Sequence, residues 1–458
     1  MDFLLVNPPR EVPQRADFPP MGLAYIAAYL RSQGIDADVM DAAAFKWPRL
    51  EEAIRLRKPA IVGLPCWTME RGQTFKAADI VRRTLPNAKL TIGGHHASAF
   101  PKHMFAQAHA DAVVIGEGEL TALELVRAFL DGTDISGIRG IAYHDGHEVI
   151  LNPGRELIAD LDTLPFPCHD RFDLDEYLGL PEVDGKAASM MTSRGCPHKC
   201  IYCSGSKFWQ RKWRPRSAEN VLREMLWLYR DLGVRNFMFF DDNFTVHKQR
   251  AIEICRGVID NGMQINFVAE SHVSHINPEL LDWMKKAGCY RIDFGVESGS
   301  PKILKTINKK QTAGQIEDVF AMVHAAGIKP RAYLMIGNPG ENEDTIRETA
   351  ALMEKIRPYD TQGAHPLVIM PNTRIYEMAK MEGIISDDFW LGSDDMLYYT
   401  VEHSEQSLFA LRELLMRKLA HNSKSKKEYI RYLMKKYYYR YPWLQKLRKF
   451  RSLFGGRV

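Results

Sequence analysis

Ser193-Arg194-Gly195-Cys196-Pro197-His198-Lys199-Cys200-Ile201-Tyr202-Cys203 is the stretch on which the reading of this chain turns. Its three cysteines are spaced Cys-x3-Cys-x2-Cys, so their thiolates can converge on one metal centre. A structural zinc ion normally takes four ligands, often from two paired-cysteine knuckles. No second pair and no clear Cys-His set completes such a site here. Three thiolates on a short loop suit a four-iron four-sulfur cluster whose fourth iron is left open to an outside ligand. The competing readings are zinc with an external ligand and loop cysteines without redox chemistry.

A strand over 187–192 delivers this loop. Beyond it, strand-like runs at 237–241, 266–269, 291–295, 332–336 and 366–370 alternate with helical patterns at 218–232, 248–260, 278–287, a stretch ending at 326, and 343–356. Short apolar strands alternating with helices imply a parallel sheet. Enzymes of that build place their chemistry at strand C-termini, and polar groups collect at those ends. They are Asp241-Asp242-Asn243-Phe244, Glu270-Ser271-His272, Gly295-Val296-Glu297-Ser298-Gly299-Ser300 and Gly337-Asn338-Pro339-Gly340-Glu341. For Asp241 and Asp242 the plainer alternative is helix N-capping. For Glu270 and His272 it is a solvated loop.

The first half repeats the alternation. Strands read at 3–6, 36–40, 60–64, 89–92 and 112–115, with helices at 21–33, 74–83 and 120–130. This is a doubly wound parallel sheet, whose ligands bind at the carboxyl ends of the strands. Those ends carry Asn7-Pro8-Pro9, Pro65-Cys66-Trp67, Gly93-Gly94-His95-His96 and Gly116-Glu117-Gly118-Glu119. Glycines there let backbone approach a ligand closely, although tight turns need glycine too.

The cysteine spacing, with the aromatic Tyr202 just before the third cysteine, resembles the motif of the radical S-adenosylmethionine (radical SAM) superfamily. The runs around Met21, Gly93-Gly94 and Gly116-Glu117-Gly118-Glu119 resemble the cobalamin-binding-type domain that precedes many of its members. The likeness covers roughly the first 390 residues and is nearest the branch with the anaerobic magnesium-protoporphyrin ester cyclase and hopanoid-modifying enzymes. It implies a partial (β/α)6 barrel of TIM type behind a Rossmann-like domain. It implies that Cys196, Cys200 and Cys203 hold a 4Fe-4S cluster, and that S-adenosyl-L-methionine binds its open iron and yields a 5′-deoxyadenosyl radical. It assigns cofactor contacts to Tyr202, Asp241, Asp242, Glu297, Ser298 and Gly337, and cobalamin contacts to Gly93, Gly94, Gly116 and Glu117.

Two departures from the family pattern matter. Relatives often have Ala-Arg-x-Asp after the third strand, the arginine lying near the SAM carboxylate. This chain has Ala269-Glu270-Ser271-His272, which makes Glu270 and His272 substrate-side candidates. The cobalt-ligating Asp-x-His-x-x-Gly motif is also missing. Asp145-Gly146-His147 comes near it, but His147 reads as a surface turn residue.

Residues 141–186 hold several prolines and clustered acids and read as a linker. The domains are then 1–140, 187–390 and a helical C-terminal region over 391–458. Average composition, at 45% hydrophobic and 26% charged, excludes a disordered or collagen-like chain. Seven cysteines exclude a disulfide scaffold, and the scattered four read as packing residues. The net charge of +4 hides an asymmetry. From Ser423 to Val458 twelve Lys/Arg stand against one acid, so this end carries +11 and the remainder −7. Mixed with Tyr437, Trp443 and Phe450, these cations suit an amphipathic helix in a membrane interface. Packing on the acidic body and nucleic-acid binding are the alternatives, and no nucleic-acid module is present. There is no signal peptide or spanning segment, so a cytoplasmic enzyme, peripheral on the membrane, is expected.

The expected activity is radical modification of an unactivated carbon of a small hydrophobic metabolite. C-methylation comes first and radical cyclisation or rearrangement second, with a flavodoxin- or ferredoxin-type protein as one-electron reductant. The reading from another class is a non-catalytic iron-sulfur or cobalamin sensor.

Overall fold

Phe3 and Leu5 pack against one layer of helices while Leu4 and Val6 pack against the other. This period-two alternation, with both faces apolar, puts a strand in the middle of a sandwich. In the computed structural model, which describes residues 1–361, 363–392, 397–399 and 402–419, that strand is β1 (Phe3–Asn7). β2 (Ala37–Asp41), β3 (Ile61–Pro65), β4 (Lys89–Gly93) and β5 (Ala112–Val114) join it in the order β2-β1-β3-β4-β5, all parallel. Helices Met21–Ser32 and Glu119–Asp131 cover the Phe3 face. Helices Trp47–Arg57, Arg71–Thr84 and Pro101–Ala108 cover the other. Each Leu-sized side chain so buried stabilises the fold by about 1.5–3 kcal/mol.

The sheet does not stop at residue 140. β6 (Ile141–His144) and β7 (Val149–Leu151) add an antiparallel hairpin to β5, so the span read as linker begins with two strands. The physical reason is the open edge of β5, whose unpaired backbone groups the hairpin satisfies. His147 is exposed in the hairpin's turn, as its sequence suggests.

The second sheet begins with β8 (Ala187–Met190). β9 (Ser193–Arg194) and β10 (Arg214–Pro215) form a small antiparallel pair around the cysteine loop. β11 (Asn236–Phe239), β12 (Asn266–Ser271), β13 (Cys289–Glu297), β14 (Lys329–Ile336) and β15 (Ala364–Pro366) continue from β8 in sequence order, all parallel. The fold is therefore α/β, a doubly wound domain followed by a six-stranded partial barrel. Phe237, Phe239, Ile292, Phe294, Ala332 and Leu334 face outward into the helical core; the alternate positions turn inward. The sixth strand ends earlier than its sequence suggests, because Val368 leaves the sheet and bridges antiparallel to Tyr398.

The inner face is polar at its lower end. Asp293 accepts from Arg291 at 2.8 Å and from Tyr333 at 3.1 Å. Glu182, from the linker, bridges Arg291 and Arg331. The linker thereby plugs the barrel floor. Helix Glu405–Leu419 packs Leu408, Leu411 and Leu415 into the barrel core. The basic end from Ser423, and its reading as an interfacial helix, lie outside the described residues. No helix among the described residues is long and apolar enough to cross a membrane.

Candidate active site

Gly195 sets the entry to the cysteine loop. It adopts φ +87°, and a Cβ there would lie 2.2 Å from the Lys212 carbonyl oxygen. Only glycine makes that turn without displacing backbone. The loop is then tied down by three backbone contacts. Ile201 N–H donates to Ile307 (3.2 Å), Ile375 N–H donates to Ile201 (3.2 Å), and the Asn308 side chain donates to the Lys199 carbonyl (2.7 Å).

Cys196, Cys200 and Cys203 are half-buried thiols outside any disulfide, whereas Cys66, Cys168, Cys255 and Cys289 are buried packing residues. Cys196 lies within electrostatic reach of both other loop thiols. Among the described residues no three His, Cys, Asp or Glu side chains are close enough to ligate a single ion. A four-iron cluster asks for a different arrangement, because each thiolate takes its own iron and the sulfurs surround a volume. The donor set, three soft sulfurs with no oxygen or imidazole partner completing a tetrahedron, fits that cluster.

Tyr202 turns back from the loop to meet Glu297. Its hydroxyl donates to Oε1 of Glu297 at 3.0 Å, and Lys309 Nζ reaches the same oxygen at 3.1 Å. Asp242 opens onto the barrel lumen near Cys203, with Gly205 between them. Burial and then the charge of Asp241 push its carboxyl up to about 6. Glu270 also faces the lumen. Burial first, then Asp293, Asp242 and Asp241, raise it to about 8.

Other expected contacts have different roles. Asp241 is buried and accepts from Thr192 N–H (2.6 Å), the Thr192 hydroxyl and the Ser193 hydroxyl, so it braces the strand that leads to the loop. The Ser298 hydroxyl is fully buried against Thr349. The Gly337 N–H donates to Glu341, and a Cβ on Gly337 would meet Leu408 at 2.5 Å. His272 is buried, stacks on His198 at 4.0 Å and bonds to the Lys309 carbonyl.

A cavity of about 300 Å³ lies between the two domains. Gly93, Gly94 and Gly116 line it from the rim of the first sheet, and Arg194, Phe208 and Trp209 from either side of the cysteine loop. Gly94 adopts φ +104°, and a Cβ there would lie 3.0 Å from the Cys66 carbonyl oxygen. Trp67, His95 and Phe208 stack in series along the wall, at 4.8 and 3.9 Å. Burial holds His95 neutral, lowered to about 4. An apolar slot with bare backbone at its floor would receive one face of a large flat cofactor such as cobalamin.

Glu117 borders this cavity, but its carboxylate is taken. It accepts from Arg194 at 2.6 Å and Arg214 at 2.9 Å, and from the Ile158 N–H at 2.7 Å. The sequence reading offers this group to a cofactor; it ties the domains together instead.

Residues 190–353 match the model of the radical SAM superfamily, and residues 14–126 that of the B12 binding domain. An uncharacterized methyltransferase of Pyrococcus horikoshii is 32% identical over 400 residues, 85% of each chain. The chain belongs to the radical SAM superfamily. Within it, this radical SAM protein is of the kind with an N-terminal B12-binding domain, and its cofactors are a 4Fe-4S cluster, SAM and cobalamin.

Further relatives are cytidylyl-2-hydroxyethylphosphonate methyltransferase of Streptomyces wedmorensis, 27% identical over 76% of this chain and 75% of the relative, and the anaerobic magnesium-protoporphyrin IX monomethyl ester cyclase of a Synechocystis strain, 27% identical over 85% and 79%. Among solved structures, the cobalamin-dependent SAM radical enzyme OxsB matches with a TM-score of 0.75 at 19% identity, covering 94% of this chain and 70% of that one. That likeness speaks to the fold.

Sequence reasoning missed Lys309, Arg194, Arg214 and Glu182. Asn308-Lys309-Lys310 interrupts a helical pattern just before the Thr312 capping box, which signals a loop but not where its cation points.

Proposed function

We propose that this radical SAM enzyme C-methylates an unactivated carbon of a small, hydrophobic metabolite. The observation that carries the reading is the shared wall. Arg194 and Phe208, which flank the cysteine loop, also line the cavity against Gly93, Gly94 and Gly116. A methyl carrier there would lie beside the site of radical formation. When bound, the cluster, SAM and cobalamin would supply the electron, the hydrogen-abstracting radical and the methyl group.

The chain's own residues bind and orient. Cys196, Cys200 and Cys203 hold the cluster, and Asp242 takes the SAM ammonium group. Tyr202 and Glu297 close the cluster side, while Glu270 faces substrate. The linker plug at Glu182 keeps water from entering through the barrel floor. The electron comes from a flavodoxin- or ferredoxin-type donor. The basic end of the chain would hold the enzyme on an anionic surface where hydrophobic substrates reside. Vesicle sedimentation of the full chain against one ending at residue 422 tests that role, and equal binding by both rejects it.

Radical cyclisation without methyl transfer is the second reading. It is favoured by the position of His147, exposed in the hairpin turn, so the histidine nearest to a cobalt-ligating motif in the sequence would not help to hold cobalamin. Anaerobic turnover with SAM and a one-electron donor separates the two. Methylation yields S-adenosylhomocysteine together with 5′-deoxyadenosine; cyclisation yields no S-adenosylhomocysteine. Failure to form 5′-deoxyadenosine with any substrate would sink both.

A further inference from the structure

Lys309 is an ammonium group sealed inside the protein beside the cysteine loop. The residue is 8% exposed. Its Nζ lies 3.1 Å from Glu297 Oε1 and 3.2 Å from the Tyr202 hydroxyl. Its charge acts most strongly, after Glu297, on Cys200 and then on Cys196.

The backbone is shaped around this trio. A Cβ on Gly295 would lie against Glu297 Oε1 and 2.6 Å from Lys309 Nζ, so the ion pair sits on bare glycine backbone and an added methyl would push it aside. Glu297 itself adopts a left-handed φ of +64° at a break in the β13–β14 register. Lys309 sits between two more left-handed residues, Asn308 and Lys310. Non-glycine residues keep such conformations only where the surroundings over-determine them. His272 further clamps the Lys309 carbonyl at 2.9 Å.

We infer that Lys309 and Glu297 form an electrostatic control on the ease of reducing the cluster. A four-iron core with three thiolates carries a charge of about −1, which becomes about −2 when an outside one-electron donor reduces it. No bond forms or breaks in that step. A fixed cation in a low-dielectric site stabilises the added electron far more than it would in water. Glu297 offsets part of that charge, so the carboxylate sets how much of the cation the cluster feels.

This rests on the assignment of Cys196, Cys200 and Cys203 to a 4Fe-4S cluster. The test is a reductive titration of the anaerobically reconstituted full-length protein, without SAM or cobalamin, followed by electron paramagnetic resonance of the reduced cluster. Lys309→Met is expected to make the midpoint more negative, with about a tenfold smaller ratio of reduced to oxidised cluster at fixed donor potential, equivalent to about 59 mV for a one-electron couple. Glu297→Gln is expected to move it the other way, and Lys309→Arg to stay near wild type. Unmoved midpoints, or shifts of Lys309→Met and Glu297→Gln in the same direction, would overturn the inference. If Lys309→Met holds no cluster, Glu297→Gln decides by the sign of its shift. Loss of the cluster from both also overturns it, since the trio would then be scaffolding. A wild-type protein that takes up no cluster would instead reject the cysteine assignment, and this inference with it.

Discussion

Arg194 and Glu117 meet at 2.6 Å, each almost fully buried, one two residues ahead of the first loop cysteine and the other at the rim of the first sheet. Glu119 and Arg214 complete the group. The contact makes the cysteine loop and the glycine rim parts of one structure, and it explains why the Gly-Glu-Gly-Glu turn is acidic.

Breaking this group from one side leaves a buried charge unpaired. Glu117→Gln should destabilise the protein by about 3–5 kcal/mol, because removing one partner of a buried pair costs more than replacing both. Thermal unfolding should show the drop. Removing the whole group, by adding Glu119→Gln, Arg194→Met and Arg214→Met, should recover part of it. An unchanged melting temperature for Glu117→Gln would show that the pairs carry little.

Gly195→Ala should abolish cluster uptake while the barrel stays folded. The added Cβ cannot coexist with the Lys212 carbonyl, so Cys196 must move. Iron and sulfide content after reconstitution measures this, with circular dichroism reporting the fold. Cys203→Ala should lose the cluster directly.

Gly94→Ala separates the two cofactors. Its Cβ would press on the Cys66 backbone at 3.0–3.2 Å, distorting the cavity floor but not the cysteine loop. Cobalamin retention should fall at least severalfold with iron content unchanged. Parallel loss of both would mean that the rim supports the whole fold.

Glu270 predicts a pH dependence. Its carboxyl is raised to about 8 in the fold, from the ordinary 4.5. A group with a raised folded-state value contributes stability below its unfolded value and loses it as pH rises toward the folded one. Wild type should therefore lose stability relative to Glu270→Gln between about pH 4.5 and 8. Melting temperatures across that window check the sign. Wild-type stability that rises relative to Glu270→Gln across that window would contradict the placement of Glu270 in the lumen.

The elements themselves were legible. β1 through β5 and the barrel strands fall close to the apolar runs, because both sheets are parallel and covered, and buried parallel strands read as continuous apolar segments. The β6–β7 hairpin was not legible. Tyr143-His144 and Val149-Ile150 are short and only partly buried, and what draws them into the sheet is the edge of β5, which no local pattern announces.

For the site, the sequence by itself determined the chemistry: three thiolates at Cys196, Cys200 and Cys203, and polar groups at the strand ends of a barrel. Local spacing suffices there, since the ligands sit on one short loop. Only the tertiary structure decided which polar groups face the lumen. Asp241 and Asp242 are adjacent, yet one braces Thr192 and the other opens to the site. Glu117 looked like a ligand and is a tie, while Lys309, unremarkable in the sequence, lies beside the cysteines. A side chain's partner comes from distant segments, and its charge takes effect only once those segments have packed and excluded water.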